Sequence, residues 1–380
     1  MKILFVSMPS VHVIRWIENL KDTNHELYWF DVLDSGRLDT LERVHQFTTW
    51  RKRKFPYIKG EYRLQKIFPN MYEKVKSFLE VTANEALEQI ILDIQPDVVH
   101  SFELHSCSYP ILKTMQKFPK LKWLYSCWGN DLFYYRQYKT HLKRIQQVLA
   151  RVNFLHTDCM RDFEIAKKLG FKGQFLGVIP GGTGYKIKEL DVYKLDITER
   201  KIILVKGYEH KFGRGLNVIK ALQLLDKELE KYKVIVFGAH QKVIDYITSN
   251  RLDFTFFDRH GLSHKELMQL MGKSLVYIGN SISDGMPNTM LEAVVMGAFP
   301  IQSNPGGASE EIIVQGRNGY LIANPESVSE IKEILLKALS EKSNFVKAAE
   351  INQQLAQERL DYAVNQLRVI EMYNTILKCG

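Results

Sequence analysis

The sequence predicts an α/β protein built from two doubly wound, Rossmann-like domains. Short apolar runs of strand length alternate with amphipathic stretches of helix length along the whole chain. The apolar runs are almost continuous, which is typical of parallel strands covered on both faces. The chain has 380 residues, more than a single hydrophobic core usually organises, so two such domains are expected.

The predicted strands fall into two series separated by a glycine-rich segment. The first series covers 2–8, 97–101, 122–128 and 152–157, and the second covers 201–207, 232–238, 254–258, 274–280 and 298–303. Helices are predicted over 13–20, 215–230, 240–250, 263–272 and 287–297, and at the end of the chain. The segment 178–194 contains several glycines and no regular apolar period, so the linker is placed there. The boundary between the predicted domains is at 185/186.

Composition indicates an ordinary globular protein of a reducing compartment. Hydrophobic residues make up 45% and charged residues 25% of the chain. No apolar run approaches the length of a membrane span, and the opening apolar run is short enough to be a buried strand. The four cysteines form neither a zinc-ligand pattern nor a disulfide framework. A cytoplasmic location is therefore expected.

A basic, aromatic stretch stands out at 50–76. It holds nine Lys or Arg against two Glu, a net charge of +7, interleaved with six aromatic residues. The stretch is interpreted as a solvated helical face, a surface for an anionic membrane, or a nucleic-acid site. Nucleic-acid binding is disfavoured because no binding motif for DNA or RNA accompanies the charge. A peripheral contact with the inner face of the membrane stays open.

Two acids at a distinctive spacing occur in "SDGMPNTMLEAVVMGAFPIQSNPGG", which begins at Ser283. Pro287 suits the first turn of a helix and Gly297 the position after its end, so Asp284 lies in the loop before the helix and Glu292 within it. The N–H groups at a helix start attract anions and oxygen atoms. Two carboxylates there can grip a polyol, because they only accept hydrogen bonds. The alternative is that Asp284 caps the helix and Glu292 pairs with a lysine.

Two cations surround the first turn of the second strand series. In "VKGYEHKFGRG", Lys206 ends a predicted strand and Arg214 precedes the next helix. A strand, a glycine-containing turn and a helix form a common cradle for phosphate. The spacing is neither that of a Walker motif nor that of a dinucleotide fingerprint. The two cations can therefore clamp a diphosphate, although the turn alone is a weak signal.

Together these segments resemble the family-4 retaining glycosyltransferases with the GT-B fold. The resemblance is carried by the Asp284-to-Glu292 block with its following glycine pair, by "VKGYEHKFGRG" and by "GRNGYLI". It covers about 200–322 well and the first domain more weakly, in "PDVVHS", "WGNDL" and "VIPGG". It implies two Rossmann-like domains facing a cleft. It also implies a C-terminal helix, 356–380, that returns to the first domain, 1–185, leaving 186–355 as the sugar-nucleotide domain.

The resemblance also implies residue roles on the sugar-nucleotide side. Lys206 and Arg214 would hold the diphosphate, Asp284 the transferred sugar and Glu292 the ribose. The other implied binding residues are Gly285, Asn288, Thr289, Met290 and Leu291. Two departures conserve charge: Asp284 stands where the family usually has Glu, and the basic pair reads Lys then Arg instead of Arg then Lys.

The acceptor side departs further from the family pattern. Trp128 occupies the position of the usual histidine before Gly-x-Asp, and the usual glycine-rich turn after the first strand is missing. Candidate acceptor-side residues all follow the carboxyl ends of predicted strands, where ligands bind in open α/β sheets. They are His12, Glu103, His105, Trp128 and Asp131. Asp131 is equally a candidate helix cap, the two histidines candidate surface residues, and Trp128 a candidate cleft wall.

The expected activity is transfer of a sugar, with retained configuration, from a nucleotide diphosphate sugar to a hydroxyl of a glycan or lipid-linked acceptor. A UDP-sugar and a role in cell-surface polysaccharide or glycoconjugate synthesis are expected. No Asp-x-Asp sequence occurs, so neither a metal nor another cofactor is expected. The alternatives are a nucleotide-sugar hydrolase or epimerase, and a non-catalytic protein that binds sugar nucleotides or glycans.

Overall fold

The computed structural model describes residues 1–181, 183–341 and 343–379, so Gly182 of the predicted linker lies outside the described residues. The chain divides into two compact units. The first comprises Met1–Thr157, Phe163–Gly177 and Ile370–Gly380, and the second comprises Asp158–Asp162 and Val178–Val369. Residues 158–162, 178–185 and 356–369, which the sequence analysis placed with the first domain, cluster with the second unit.

The first unit contains a seven-stranded sheet in the order β3-β2-β1-β4-β5-β6-β7. Strands β1 to β6 pair with their neighbours in parallel. The strands are β1 (Lys2–Ser7), β2 (Glu26–Asp31), β3 (His45–Phe47), β4 (Val98–Phe102), β5 (Lys122–Cys127), β6 (Phe154–Thr157) and β7 (Gln174–Val178). The helices up to β7 are α1 (Val11–Glu18), α2 (Glu61–Ile67), α3 (Pro69–Leu79), α4 (Ala83–Ile94), α5 (Leu112–Lys117), α6 (Asn130–Phe133), α7 (Lys139–Leu149) and α8 (Met160–Lys168).

The second unit contains a six-stranded parallel sheet in the order β10-β9-β8-β11-β12-β13. Its strands are β8 (Ile202–Lys206), β9 (Lys233–Ala239), β10 (Thr255–Asp258), β11 (Ser274–Gly279), β12 (Phe299–Ser303) and β13 (Tyr320–Ile322). The remaining helices are α9 (Ile187–Leu190), α10 (Gly215–Gln223), α11 (Asp226–Leu229), α12 (Gln241–Ser249), α13 (His264–Gly272), α14 (Asn288–Val295), α15 (Val328–Ser340), α16 (Ser343–Leu355) and α17 (Tyr362–Lys378).

These two parallel sheets confirm the predicted α/β, doubly wound fold class. The central strands are apolar and buried on both faces, as in β11, where every residue is buried. Four strands were not predicted from the sequence: β2, β3, β7 and β13. Three of them lie at sheet edges. There β3 and β7 include polar or partly exposed residues, and β13 has only three residues, too few to show a period. The helix predicted over 215–230 is two helices, α10 and α11, that are separated at Leu224 and Leu225.

Helix α17 joins the first unit through its second half. The indole Nε1 of Trp16 donates to the Tyr373 hydroxyl at 2.9 Å, and that hydroxyl also shares a 2.7 Å hydrogen bond with Nδ1 of His100. Lys122 donates to the Ile376 carbonyl at 2.8 Å. Among the helices of the described ranges, none is long and apolar enough to cross a bilayer.

Candidate functional site

The turn after β8 carries the two predicted cations. A Cβ atom at Gly215 would lie 2.9 Å from the Lys206 carbonyl oxygen, so only glycine lets the start of α10 pack against the end of β8. At Gly213, a Cβ would collide with the Tyr208 backbone. Lys206 ends β8 and Arg214 immediately precedes α10, as the sequence indicates. The close backbone packing anchors both cations to one turn.

Lys206 is held by an aromatic ring. Its ammonium lies 4.7 Å from the centroid of the Tyr208 ring. Among the described residues, none of the carboxylates forms an ion pair with it. Burial, together with nearby His240 and Lys206, lowers the pKa of His210 in the same loop. The turn is therefore a region of positive potential suited to an anion.

Arg214 is oriented by neighbours on the second unit. Its Nε donates to Glu326 Oε1 at 2.5 Å, and its Nη1 donates to the carbonyls of His210 and Gly213 at 3.1 and 2.8 Å. Glu326 also accepts a hydrogen bond from Asn217 at 3.1 Å. Glu326 was not identified from the sequence, because it follows Arg214 by more than a hundred positions.

Asp284 does not cap helix α14. The N-cap position is taken by Pro287, and no side chain caps the helix there. Instead, the Asp284 carboxylate accepts a hydrogen bond from the N–H of Gly285 at 2.9 Å. The helix-cap alternative is thus wrong for this residue. The carboxylate lies in the loop before the helix and is only partly buried.

Arg161 ties the Asp284 loop to the turn after β12. Its guanidinium donates to the carbonyls of Asp284 and Pro305 at 2.8 and 2.6 Å. It also pairs with Asp162, and both side chains are almost fully buried. Nothing in the local sequence around 161 points to this role, since its partners are more than 120 positions away.

The predicted binding residues on helix α14 fall into two groups, one with polar contacts and one with buried apolar side chains. Thr289 lies in the first turn and shares a 2.7 Å hydrogen bond with the Tyr277 hydroxyl, whose pKa is raised by burial. Asn288 opens the helix, and its carbonyl accepts from Tyr185. Met290 and Leu291 have fully buried side chains, and both of their N–H groups donate to the Pro287 carbonyl. Their side chains therefore contribute to the packing of α14, and their binding role stays a prediction.

Glu292 is the most unusual carboxylate of the second unit. Its side chain is only 5% exposed, and its Oε1 lies 2.8 Å from Nε2 of His264 at the start of α13. Its other oxygen, Oε2, is buried and has no hydrogen-bond partner among the described residues. Glu292 therefore pairs with a histidine, and the predicted lysine partner is wrong. An unsatisfied buried carboxylate oxygen costs free energy unless a ligand supplies a donor.

The sequence predicts the position of His264 on a helix but not its contact with Glu292. The sequence predicts a helix over 263–272, and Ser263 with Glu266 forms a capping box that starts it. That capping places His264 at the first helical position. Which residue the imidazole faces depends on how α13 packs against α14, and no local pattern specifies it.

The acceptor-side candidates lie in the first unit, at the carboxyl ends of its strands. Glu103 follows β4 with a φ of +58°, a conformation that non-glycine residues rarely adopt. Its carboxylate accepts from the N–H groups of His105 and Ser106. Burial, and then the nearby Asp131, raises the pKa of Glu103 to about 7. Strain and a raised pKa commonly occur together at functional sites.

Asp131 is buried and fully engaged. It accepts hydrogen bonds from the Tyr125 hydroxyl, the Cys127 thiol and the N–H of Leu104. Its own carbonyl accepts from Nε2 of His105 at 3.1 Å. The structure therefore brings Glu103, His105 and Asp131 together, and Asp131 organises the loop after β4.

His12 and Trp128 contact each other, with ring centroids 5.6 Å apart. The Trp128 ring also lies 6.2 Å from the ring of Phe102, at the end of β4. Trp128 is partly buried, whereas His12 at the start of α1 is exposed. Among the residues that the structure describes, no three His, Cys, Asp or Glu side chains converge as ligands for a metal ion.

The two Rossmann-like units, with a cationic turn after β8 and paired acids around α14, define a GT-B glycosyltransferase. Two family models match the sequence, "Glycosyl transferases group 1" over 188–357 and "Glycosyl transferase 4-like" over 2–160. The chain belongs to the group 1 glycosyltransferases, family 4. No curated protein matches the sequence.

Solved structures with the same fold cover almost the whole chain. Sucrose-phosphate synthase from Thermosynechococcus elongatus is 12% identical with a TM-score of 0.73, and each chain covers 100% of the other. Anabaena HepE in complex with UDP is 14% identical with a TM-score of 0.69, covering 99% of this chain and 100% of its own. A glycosyltransferase from Rickettsia africae is 16% identical with a TM-score of 0.68, covering 100% and 99%. At these identities the similarity establishes the fold.

Proposed function

We propose that the protein transfers a sugar from a UDP-sugar to an acceptor hydroxyl, with retention of configuration at the anomeric carbon. The observation that carries the proposal is the buried, unsatisfied Oε2 of Glu292 at the side of α14. A ribose hydroxyl is a neutral donor that can satisfy such an oxygen without bringing a charge into the core. UDP is favoured as the nucleotide because HepE, a structural neighbour, is described with UDP and with UDP-glucose.

The cationic turn would hold the diphosphate. Cleavage of the anomeric C–O bond leaves negative charge on the leaving phosphate. Lys206 and Arg214 lie on one turn, and their charges stabilise that product and the transition state that precedes it. Removing one such group typically slows an enzyme by about 10²–10³-fold. Two fixed cations can also replace a divalent ion, so we propose metal-independent transfer.

Asp284 would contact the transferred sugar. Its carboxylate is partly buried, and the Gly285 N–H and the Arg161 guanidinium fix the loop that carries it. A negative charge there favours the positive charge that develops at the anomeric carbon. Because Asp is one methylene shorter than Glu, the pocket would have more room for the sugar than it has in most family members.

The proposed acceptor is a hydroxyl of a glycan or of a lipid-linked glycan, in the synthesis of a cell-surface polysaccharide or glycoconjugate. Glu103, with its strained backbone and raised pKa, is our candidate for contacting the acceptor from the first unit. The basic stretch 50–76 would give peripheral contact with the inner face of the membrane. We propose no role in nucleic-acid binding.

Thermal-shift measurements with a panel of nucleotides and nucleotide sugars test this function. A ligand at 100 times its Kd stabilises the fold by about 2.7 kcal/mol. UDP and one UDP-sugar should raise the melting temperature, whereas AMP should not. Product analysis with and without an added glycan then separates transfer from hydrolysis. Tight UDP binding without turnover of any UDP-sugar would instead indicate a binding protein.

A further inference from the structure

The residues 50–80, here called the basic hairpin, form a contiguous segment of the first unit. Helices α2 and α3 lie within it. The chain enters and leaves through paired backbone, with the Lys54 N–H donating to Leu79 and the Val81 N–H to Lys52, both at 2.8 Å. The hairpin therefore has a fixed base.

An ion pair and a tyrosine hold the hairpin together internally. Arg53 donates to both carboxylate oxygens of Glu61, at 2.7 and 2.8 Å, and the Tyr72 hydroxyl donates to the same carboxylate at 2.9 Å. The hydrogen bonds from Arg53 lower the pKa of Glu61 to about 2. Glu61 and Tyr72 are buried, so their interaction fixes how α2 and α3 pack.

The outer face of the hairpin is apolar. Helix α3 and the residue before it carry an exposed stripe of Phe68, Met71, Val75 and Phe78, which recur every three or four residues and so share one helix face. Phe78 is 73% exposed. Tyr57 and Tyr62 are 80% and 77% exposed. Large apolar side chains gathered on one surface mark an interaction site.

The basic hairpin also exposes many cations. Its exposed cations are Arg51, Lys52, Lys59, Arg63 and Lys66. Among the described residues, no carboxylate forms an ion pair with any of these five side chains. By contrast, Arg53 pairs with Glu61 and Lys54 with Glu85, so these two serve the base of the hairpin. A segment that exposes five such cations together with an apolar helix stripe matches a partner that is both anionic and apolar.

We propose that the basic hairpin docks on a bilayer containing anionic lipids, with the α3 stripe inserted among the headgroups and the five cations at the phosphates. An amphipathic helix with aromatic residues on one side and Lys or Arg around it binds the membrane interface in this way. A second copy of the chain is a poor binding partner for the hairpin, because two surfaces of this positive charge repel each other. The inference rests on the proposed function and deepens its membrane contact for 50–76 by naming the side chains that make it. A lipid-linked acceptor would then lie in the same membrane.

Vesicle flotation of the full chain tests the docking. Wild type should bind vesicles of phosphatidylglycerol and phosphatidylcholine at low salt, but not pure phosphatidylcholine, and should detach at high salt. Replacing Arg51, Lys52, Arg63 and Lys66 with Gln should weaken binding by about fivefold per cation. Met71→Ser with Phe78→Ser should also abolish flotation, while the melting temperature stays close to that of wild type.

A charge-matched control lies on the second unit. Replacing the exposed Lys227, Lys231, Lys242 and Lys265 with Gln removes the same charge and should leave flotation unchanged. Failure of wild type to bind anionic vesicles, or equal loss in this control, would overturn the docking. Binding to an RNA homopolymer in place of vesicles would also overturn it. A UDP thermal shift measured on each variant keeps the result separate from the proposed transfer activity, since UDP binding does not need the hairpin.

Discussion

The imidazole Nε2 of His264 lies 2.8 Å from Oε1 of Glu292, the oxygen opposite the unsatisfied Oε2. Helix α13 supplies the histidine and helix α14 the carboxylate. The hydrogen bond fixes the rotation of the carboxylate, so that its free oxygen keeps one direction. His264 is therefore a positioning residue for whatever Glu292 binds.

Replacing His264 with Ala should weaken UDP binding by about fivefold to tenfold. This is less than the contribution of a charged hydrogen bond, because Glu292 would keep its contact with the ribose and lose only the partner that fixes its rotation. The loss should shrink to less than about twofold for 2′,3′-dideoxy-UDP, which lacks the ribose hydroxyls that Glu292 would bind. His264→Gln keeps an N–H donor and should recover most of the affinity. Calorimetry with both nucleotides measures this, with the neighbouring Lys265→Ala as a control. Equal losses for the two nucleotides would mean that His264 acts through helix α13 and not through Glu292.

Substitutions of Asp284 and Glu292 should affect UDP binding and sugar transfer differently. Asp284→Asn should abolish transfer yet leave UDP affinity nearly unchanged, because in the proposed site the lost charge would face the sugar and not the nucleotide. Glu292→Gln should weaken UDP binding by about 1.5–3 kcal/mol, the usual contribution of a charged hydrogen bond. Affinities by calorimetry and rates with one UDP-sugar are the two measurements. Transfer by Asp284→Asn at the wild-type rate would remove Asp284 from the site.

The cations should make a metal unnecessary. UDP should bind equally well in EDTA and in Mg²⁺, because Lys206 and Arg214 provide the positive charge. Lys206→Ala and Arg214→Ala should each slow transfer by about 10²-fold or more. The exposed Lys211→Ala, in the same loop, is the matched control and should keep most of the activity. A tenfold loss of UDP affinity on chelation, restored by Mg²⁺ or Mn²⁺, contradicts this prediction.

The first unit should lose stability in mild acid. His100 is fully buried between Tyr373 and Ser126, and burial, with His156 nearby, holds its pKa well below the ordinary value of about 6.5. As the pH falls below about 6.5, the unfolded chain binds a proton that the folded His100 does not, so unfolding becomes easier. The free energy of unfolding should then fall by up to about 1.4 kcal/mol per pH unit for this residue. Urea denaturation between pH 7.5 and 5.5 measures the slope, and His100→Asn should make it shallower. An unchanged slope in that variant would exclude His100 as the source.

The apolar periodicity of the sequence was sufficient to predict the fold class and the central strands. A strand buried on both faces must be apolar through its centre, as β8 and β11 are, so each is visible in a window of six or seven residues. The loop carrying Asp284 and the helix start at Asn288 were equally visible, because Gly285, Pro287 and Gly297 constrain the backbone locally. Edge strand β3 was not visible because exposure on one side admits polar residues, and edge strand β13, although apolar, has only three residues.

Local sequence patterns could not show which distant side chains contact each other. Glu292 was predicted as a ligand of the sugar nucleotide, but its pairing with His264 follows from the packing of α13 on α14. Arg161 reaches the Asp284 loop from a different part of the chain, and Glu326 reaches Arg214 from the segment before α15. The exposed stripe on α3 has the spacing of an ordinary buried helix face. The packing of Tyr72 against Glu61 inside the hairpin determines which side of α3 is buried. Chain topology brings His264, Arg161 and Glu326 into contact with their partners across 28 to 123 positions of the sequence, and short-range spacing carries no record of it.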